Sequence, residues 1–301
     1  MARVLSDPLR RGTATTLAVL SALALAALTA VFLNTRQGQV VDDLGRDSTA
    51  TGAAADYSEQ FLTVLSTGVV VACLAGLALV ALVQRRWQEA VGALVLVAGA
   101  NITTQVAKAA LARPGFGVDV GAPNSLPSGH TTVAASLGTA ALLVAPARWR
   151  PAVAVLAAGY AAATGAATLF GGWHRPADVL AAMAVVGAWT LAVCAVLPFR
   201  SPTEAEHPTI DFSTAEEPSL PRAAPGQVAA VRLLAVGTAL GAVVAVGGLT
   251  LALGGWIDAQ TPALLRYAGP SFAVVAGSCA LFWAGLLVAP PPDTDRTPVL
   301  S

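Results

Sequence analysis

The stretch that decides the fold is residues 152–197, AVAVLAAGYAAATGAATLFGGWHRPADVLAAMAVVGAWTLAVCAVL. Two runs, 152–171 and 177–197, are built almost wholly from Ala, Val, Leu and Gly. Each has the roughly 20 apolar residues that a helix needs to cross a ~30 Å hydrocarbon core. A short polar break separates them, Trp173-His174-Arg175-Pro176, with Asp178 just inside the second run. Neither run alternates with period two, so both read as helices and not as barrel strands.

Working outward, the pattern recurs. Apolar segments at 14–34, 60–83, 89–110, 129–146, 229–252 and 267–289 bring the expected spans to about eight. The expected fold is therefore all-α, a multi-pass transmembrane helical bundle. Composition agrees: of 301 residues 55% are hydrophobic and only 11% charged, against about 25% charged in an average soluble domain. That excludes an ordinary soluble fold and a disordered chain alike. The 17 basic and 17 acidic residues cancel, which leaves no basic field for nucleic acid. The partner implied is the lipid bilayer; oligomeric state is not legible. Cys73, Cys194 and Cys279 each sit in an apolar run and read as packing residues. Arg10-Arg11 and Ala24-Leu25-Ala26 resemble a signal peptide, but the apolar run continues to Leu33, so a retained helix is expected.

Orientation follows from the basic residues in the loops. With the N-terminus cytoplasmic, Arg3, Arg10, Arg11, Arg85, Arg86, Arg148, Arg150, Arg200, Arg222, Arg232 and Arg296 fall inside. Arg36, Arg46, Lys108, Arg113, Arg175 and Arg266 fall outside. The bias places both termini in the cytoplasm. Residues 1–197 are expected to form a six-helix core. The stretch 199–227, FRSPTEAEHPTIDFSTAEEPSLPRAAPGQ, has no apolar period. It makes 198–228 a flexible cytoplasmic linker. A helix pair at 229–289 and a disordered tail at 290–301 complete the chain. Gly237 and Gly241 have the spacing that lets two helices approach closely.

Three polar pieces then fall on the outer side. Lys108, the only lysine, ends the third span, and Arg113-Pro114 follows. Pro127-Ser128-Gly129-His130 opens the fourth. His174-Arg175-Pro176-Ala177-Asp178 opens the sixth. Singly, each has a plain explanation: a snorkelling lysine, a headgroup-anchoring arginine, a helix cap, a surface His–Asp pair. Together, in this order and on one side, they read as a site.

These pieces resemble the type 2 phosphatidic acid phosphatase superfamily, whose soluble relatives include vanadium haloperoxidases. Its motifs are K-x6-R-P, P-S-G-H and S-R-x5-H-x3-D. The second is intact at Pro127–His130, and the end of the third is intact as His174-x3-Asp178. The resemblance covers roughly 60–197. Two departures stand out. The first motif is two residues short, Lys108-x4-Arg113-Pro114, and the S-R pair falls on Ala167-Thr168.

The resemblance implies a six-helix phosphatase core acting without metal or other cofactor. His174 would be the nucleophile, forming a phosphohistidine. Asp178 would fix its tautomer, and His130 would protonate the leaving oxygen and then activate water. Lys108, Arg113, Ser128 and Gly129 would bind the phosphoryl oxygens, with Arg175 standing in for the absent arginine. The substrate would be a membrane lipid or lipid-linked phosphate monoester or diphosphate. A phosphotransferase with the same nucleophile, or a degenerate non-enzymatic membrane protein, are the alternatives. A transporter fits less well, because the charges gather at one face and not at the midplane. Asp42, Asp43 and Asp47 are expected in a solvated outer loop, and Asp258 and Arg266 are expected to meet water.

Overall fold

The computed structural model describes residues 7–46, 53–63, 67–83, 87–118, 124–197 and 225–289. The described residues form ten α-helices and no strand. In chain order they are α1 (Asp7–Leu28, continued by a π-helical turn, Thr29–Leu33), α2 (Arg36–Leu44), α3 (Ala53–Thr63), α4 (Thr67–Val83) and α5 (Trp87–Ala110). Then come α6 (Gly129–Val144), α7 (Arg150–Phe170), α8 (Pro176–Val196), α9 (Pro225–Leu253) and α10 (Ala263–Val288). The chain is thus an all-α multi-pass bundle.

Among the described residues, six helices are long and apolar enough to cross a membrane: Pro8–Leu33, α5, α7, α8, α9 and α10. The fourth expected span is shorter: α6 has 16 residues, about 24 Å at 1.5 Å per residue. The second expected span, 60–83, is divided between α3 and α4. Helix α3 packs on α7, where the Phe61 and Tyr160 rings lie 5.8 Å apart. Residues 198–224 of the expected linker, the tail 290–301 and Asp47 lie outside the described residues. Residues 225–228 begin α9 and do not belong to the linker.

Why the helices assemble is visible in their contact faces. Large apolar side chains such as Leu94, Ile102, Leu156 and Val243 point outward, as a lipid-facing surface requires. Lipid offers no hydrophobic drive for helix association, so close approach and polar bonds must supply it. Both are present. Trp189 Nε1 donates to Thr103 Oγ1 at 3.0 Å, joining α8 to α5. The buried hydroxyls of Thr104 and Thr132 meet at 3.0 Å, and Asn101 donates to Ser136 at 3.3 Å, joining α5 to α6. Helix α10 packs on α7, α8 and α9 and shares their core. Its Phe282 is fully buried against Gly138 of α6 and lies in one cluster with Ala158 and Val185.

The α9–α10 seam is lined by small residues at the spacing the sequence suggested. A β-carbon on Gly237 would stand 2.7 Å from Cys279 Sγ, and one on Gly241 2.8 Å from the Phe272 carbonyl oxygen. A backbone oxygen cannot swing aside. Gly241→Leu is therefore expected to lower thermal stability in detergent by about 1–3 kcal/mol, the usual cost of overpacking. An unchanged unfolding midpoint would contradict this seam.

The ends of the helices sort into two sets. Arg10, at the start of α1, is buried and donates to the carbonyls of Cys194 in α8 (3.3 Å) and Val288 in α10 (3.4 Å). Cationic groups suit helix C-termini. At the opposite end meet the close of α5, the start of α6, the α7–α8 turn and α2.

Candidate active site

The α7–α8 turn places the central histidine. Gly172 has φ +68°, a conformation glycine adopts without Cβ strain, and it reverses the chain in five residues. Trp173 N and His174 N both donate to the Thr168 carbonyl, at 3.0 and 3.1 Å. The backbone at His174 is therefore anchored to α7, while its ring faces α8. Pro176 follows at the first helical position, where a missing N–H costs nothing.

Asp178 is the hub. Its Oδ2 lies 3.2 Å from His174 Nδ1. The same oxygen accepts the Ser125 hydroxyl at 2.7 Å and the Arg175 backbone N–H at 2.9 Å. Its main-chain carbonyl accepts the Ser128 N–H at 2.8 Å. One residue thus closes the start of α8, holds the imidazole and ties down the start of α6. His174 lies just before the cap of α8 and Asp178 in its first turn, so the entry into the helix brings the two side chains together. With Nδ1 committed to the carboxylate, Nε2 is the ring nitrogen left to face outward.

Ser128 caps α6, its Oγ accepting the Thr131 N–H at 3.4 Å. Its backbone N–H, expected to bind a phosphoryl oxygen, is instead taken by Asp178, so Ser128 offers only its hydroxyl hydrogen. Gly129 begins α6, and a β-carbon there would lie 3.7 Å from Lys108 Nζ. The Lys108 ammonium therefore sits over the start of α6. His130 follows, within electrostatic reach of both His174 and Lys108. Its ring packs at 5.4 Å on the half-exposed Trp173 ring.

The two arginines differ. Arg175 was expected to reach the phosphate in place of the absent motif arginine. Instead it is 1% exposed, its Nε bonds Asp43 Oδ1, and its Nη1 donates to Ser125 Oγ at 3.1 Å. The Arg113 side chain is also buried, at 5% exposure, with Nη2 3.7 Å from Asp43 Oδ2. Among the described residues, its Nε and Nη2 have no hydrogen-bond partner. Burial, and after it the neighbouring Arg175 charge, pull the Arg113 pKa below its ordinary value.

Helix α2 overturns one expectation. Asp42 and Asp43 do not lie in a solvated loop. Thr35 caps the helix by accepting the Gly38 N–H at 3.0 Å, and Gly38, Gln39 and Asp42 share its buried face. Gln39 Nε2 donates to Leu33 O at 2.9 Å and Pro114 O at 3.0 Å, which pins the Arg113-Pro114 loop. Asp42 Oδ1 accepts the Ala177 N–H at 2.8 Å. Arg266 is likewise buried, contrary to expectation, because α10 packs inward; Asp258 is exposed as expected and bonds Thr261.

Burial, and next the Asp178 carboxylate, push the Asp42 carboxyl well above the usual carboxylate range. A carboxyl with a raised folded pKa stabilises the fold below its unfolded pKa, and that contribution is lost as pH rises through the folded value. Asp42→Asn keeps an oxygen for Ala177 but cannot ionise. Its unfolding midpoint is expected to match wild type near pH 4 and exceed it at pH 8. A variant less stable at both values would refute the assignment.

The sequence motifs found the His–Asp pair, the cations and the α6 start. They missed Ser125, Gln39, Asp42 and Asp43. The local signal for α2 was Thr35 followed by Gly38, Gln39 and Asp42 at helical spacing. A family model described as PAP2 superfamily matches residues 89–202, the stretch from α5 past the end of α8. No curated protein and no solved structure matches the chain.

Proposed function

From the PAP2 superfamily domain at residues 89–202 in a membrane-embedded bundle, we propose that the chain is a lipid-phosphate phosphatase. PAP2 superfamily members are generally phosphatases, which supports a phosphoric ester hydrolase at the coarse level. The observation that carries the finer reading is the His174–Asp178 pair near Lys108, His130 and the unbonded Nε–Nη2 edge of Arg113.

In the first step His174 Nε2 attacks phosphorus and the bond to the leaving oxygen breaks. His130 gives that oxygen its proton, and Asp178 stabilises the imidazolium that forms. In the second step His130 takes a proton from water, the water oxygen attacks phosphorus, and the P–N bond breaks to release phosphate. Lys108, Arg113, the Ser128 hydroxyl and the Gly129 N–H hold the phosphoryl oxygens as their charge redistributes. Arg175 acts through Asp43 and Ser125 and does not touch the phosphate. No step requires a metal.

A site at the end of a membrane bundle favours a substrate anchored by hydrocarbon: a phosphate monoester or diphosphate of a lipid or polyprenol. The loop charge bias supports the outer face of the cell membrane. The test is phosphate release by the detergent-purified full chain from phosphatidic acid, phosphatidylglycerophosphate and polyprenyl diphosphate, with acid-labile, base-stable label sought on His174. Phosphorylated product appearing only when an acceptor alcohol is added would convert the reading to a phosphotransferase. Absence of both release and label would refute it.

A further inference from the structure

The motif arginine that Thr168 replaces leaves this site one cation short, and its first-motif arginine stands two residues early. Helix α2, outside the family-matched stretch, bears on both. Asp43 lies between Arg113 and Arg175, with Oδ1 on Arg175 Nε and Oδ2 3.7 Å from Arg113 Nη2. Arg175 is fixed in turn by Ser125, and the Arg113-Pro114 loop by Gln39. Nε and Nη2 share one edge of the guanidinium plane, the edge that a carboxylate or phosphate takes with two oxygens. In Arg113 both donors of that edge lie buried and carry no hydrogen bond among the described residues. A buried donor left unpaired is costly, so an edge kept this way is shaped for a ligand with two acceptor oxygens.

Resting on the proposed phosphatase reading, we infer that Asp43 is a positioning residue: it holds Arg113 from a new direction so that its Nε–Nη2 edge binds two oxygens of the phosphoryl group. Asp43 touches no substrate. Its distance of 3.7 Å is close enough to hold the guanidinium by charge and too long for a hydrogen bond, so the edge stays available. Two carboxylates near a phosphate would ordinarily repel it. Here Arg175 takes up the Asp43 charge, and Asp42 is turned to the Ala177 N–H.

The test is a double-mutant cycle on the full chain in detergent, read by affinity for inorganic phosphate and by KM and kcat for a short-chain phosphatidic acid. Asp43→Ala is expected to weaken phosphate binding and raise KM by about ten-fold, the worth of a charged contact, with kcat changed far less. In an Arg113→Ala background the same substitution should have no further effect. Asp43→Asn, the gentler change, should fall between. A purely structural Asp43 would act equally in both backgrounds and would overturn the inference. So would tighter phosphate binding in Asp43→Ala, which would make Asp43 a latch that competes for the edge. Wild-type protein that binds no phosphate overturns it also. Wild-type protein that binds phosphate and shows the coupling, yet releases none from any lipid, leaves the positioning role standing and defeats the phosphatase reading.

Discussion

His174→Ala is expected to abolish phosphate release, by at least about 10³-fold, while leaving the protein folded. The two halves of this expectation have separate causes. In the proposed mechanism the ring supplies the atom that bonds to phosphorus. Among the described residues the other imidazole, His130, sits on α6, tilted against Trp173 and without a carboxylate partner to activate it. A covalent route cannot proceed without its nucleophile. The fold survives because the ring makes one hydrogen bond, worth about 1 kcal/mol net. Asp178 retains Ser125 and the Arg175 N–H. Phosphate release, unfolding midpoint and the phosphohistidine label should be measured on one preparation. Turnover that persists without His174 rejects this mechanism, whatever the substrate.

Asp178→Asn is expected to cost about 10²–10⁴-fold in kcat with KM little changed. The substitution keeps size and one acceptor oxygen but removes the charge that stabilises a transient imidazolium, and it no longer dictates which ring nitrogen carries the proton. Stability should fall only modestly, because the backbone bond from Ser128 to the residue 178 carbonyl is untouched. Asp178→Ala is the contrast. It leaves the part-buried Ser125 hydroxyl and the buried Arg175 N–H without that acceptor, at about 1–3 kcal/mol each at most, so thermal stability falls together with activity. A pair of variants equal in stability would show that Asp178 serves the histidine alone.

Membrane helices announce themselves, and for a physical reason. A span must satisfy its backbone internally and present apolar side chains over a fixed length, so the runs at 152–171 and 177–197 could be read residue by residue. Small-residue seams were legible for a related reason: Gly237 and Gly241 sit one turn apart, and close approach is local in sequence. The His–Asp pair was legible because its partners are four residues apart across the turn that enters α8. What escaped was non-local. Asp43 meets Arg175 across 132 residues, and Asp42 meets Ala177 across 135. In sequence those carboxylates look like a wet loop, since nothing near them hints at a buried guanidinium. The same holds for Arg266, whose burial depends on where α10 packs. Arg175 was read as a phosphate ligand because it neighbours His174, but its guanidinium is engaged by Asp43 and Ser125.

The first helix has a consequence for how this protein can be cut. Its Arg10 holds the closing carbonyls of α8 and α10, and the short helix that follows it delivers Asp43 to the opposite end. The segment from Arg10 to Asp43 therefore works as a strap buckled at both ends of the matched domain. A fragment comprising 89–202 would carry every motif residue and still be a poor graft. It would bring Arg175 to a place with no Asp43 and leave α8 without its terminal clasp. Recognisable sequence and transplantable function part company here, and the smallest portable unit begins with the arginine at position 10.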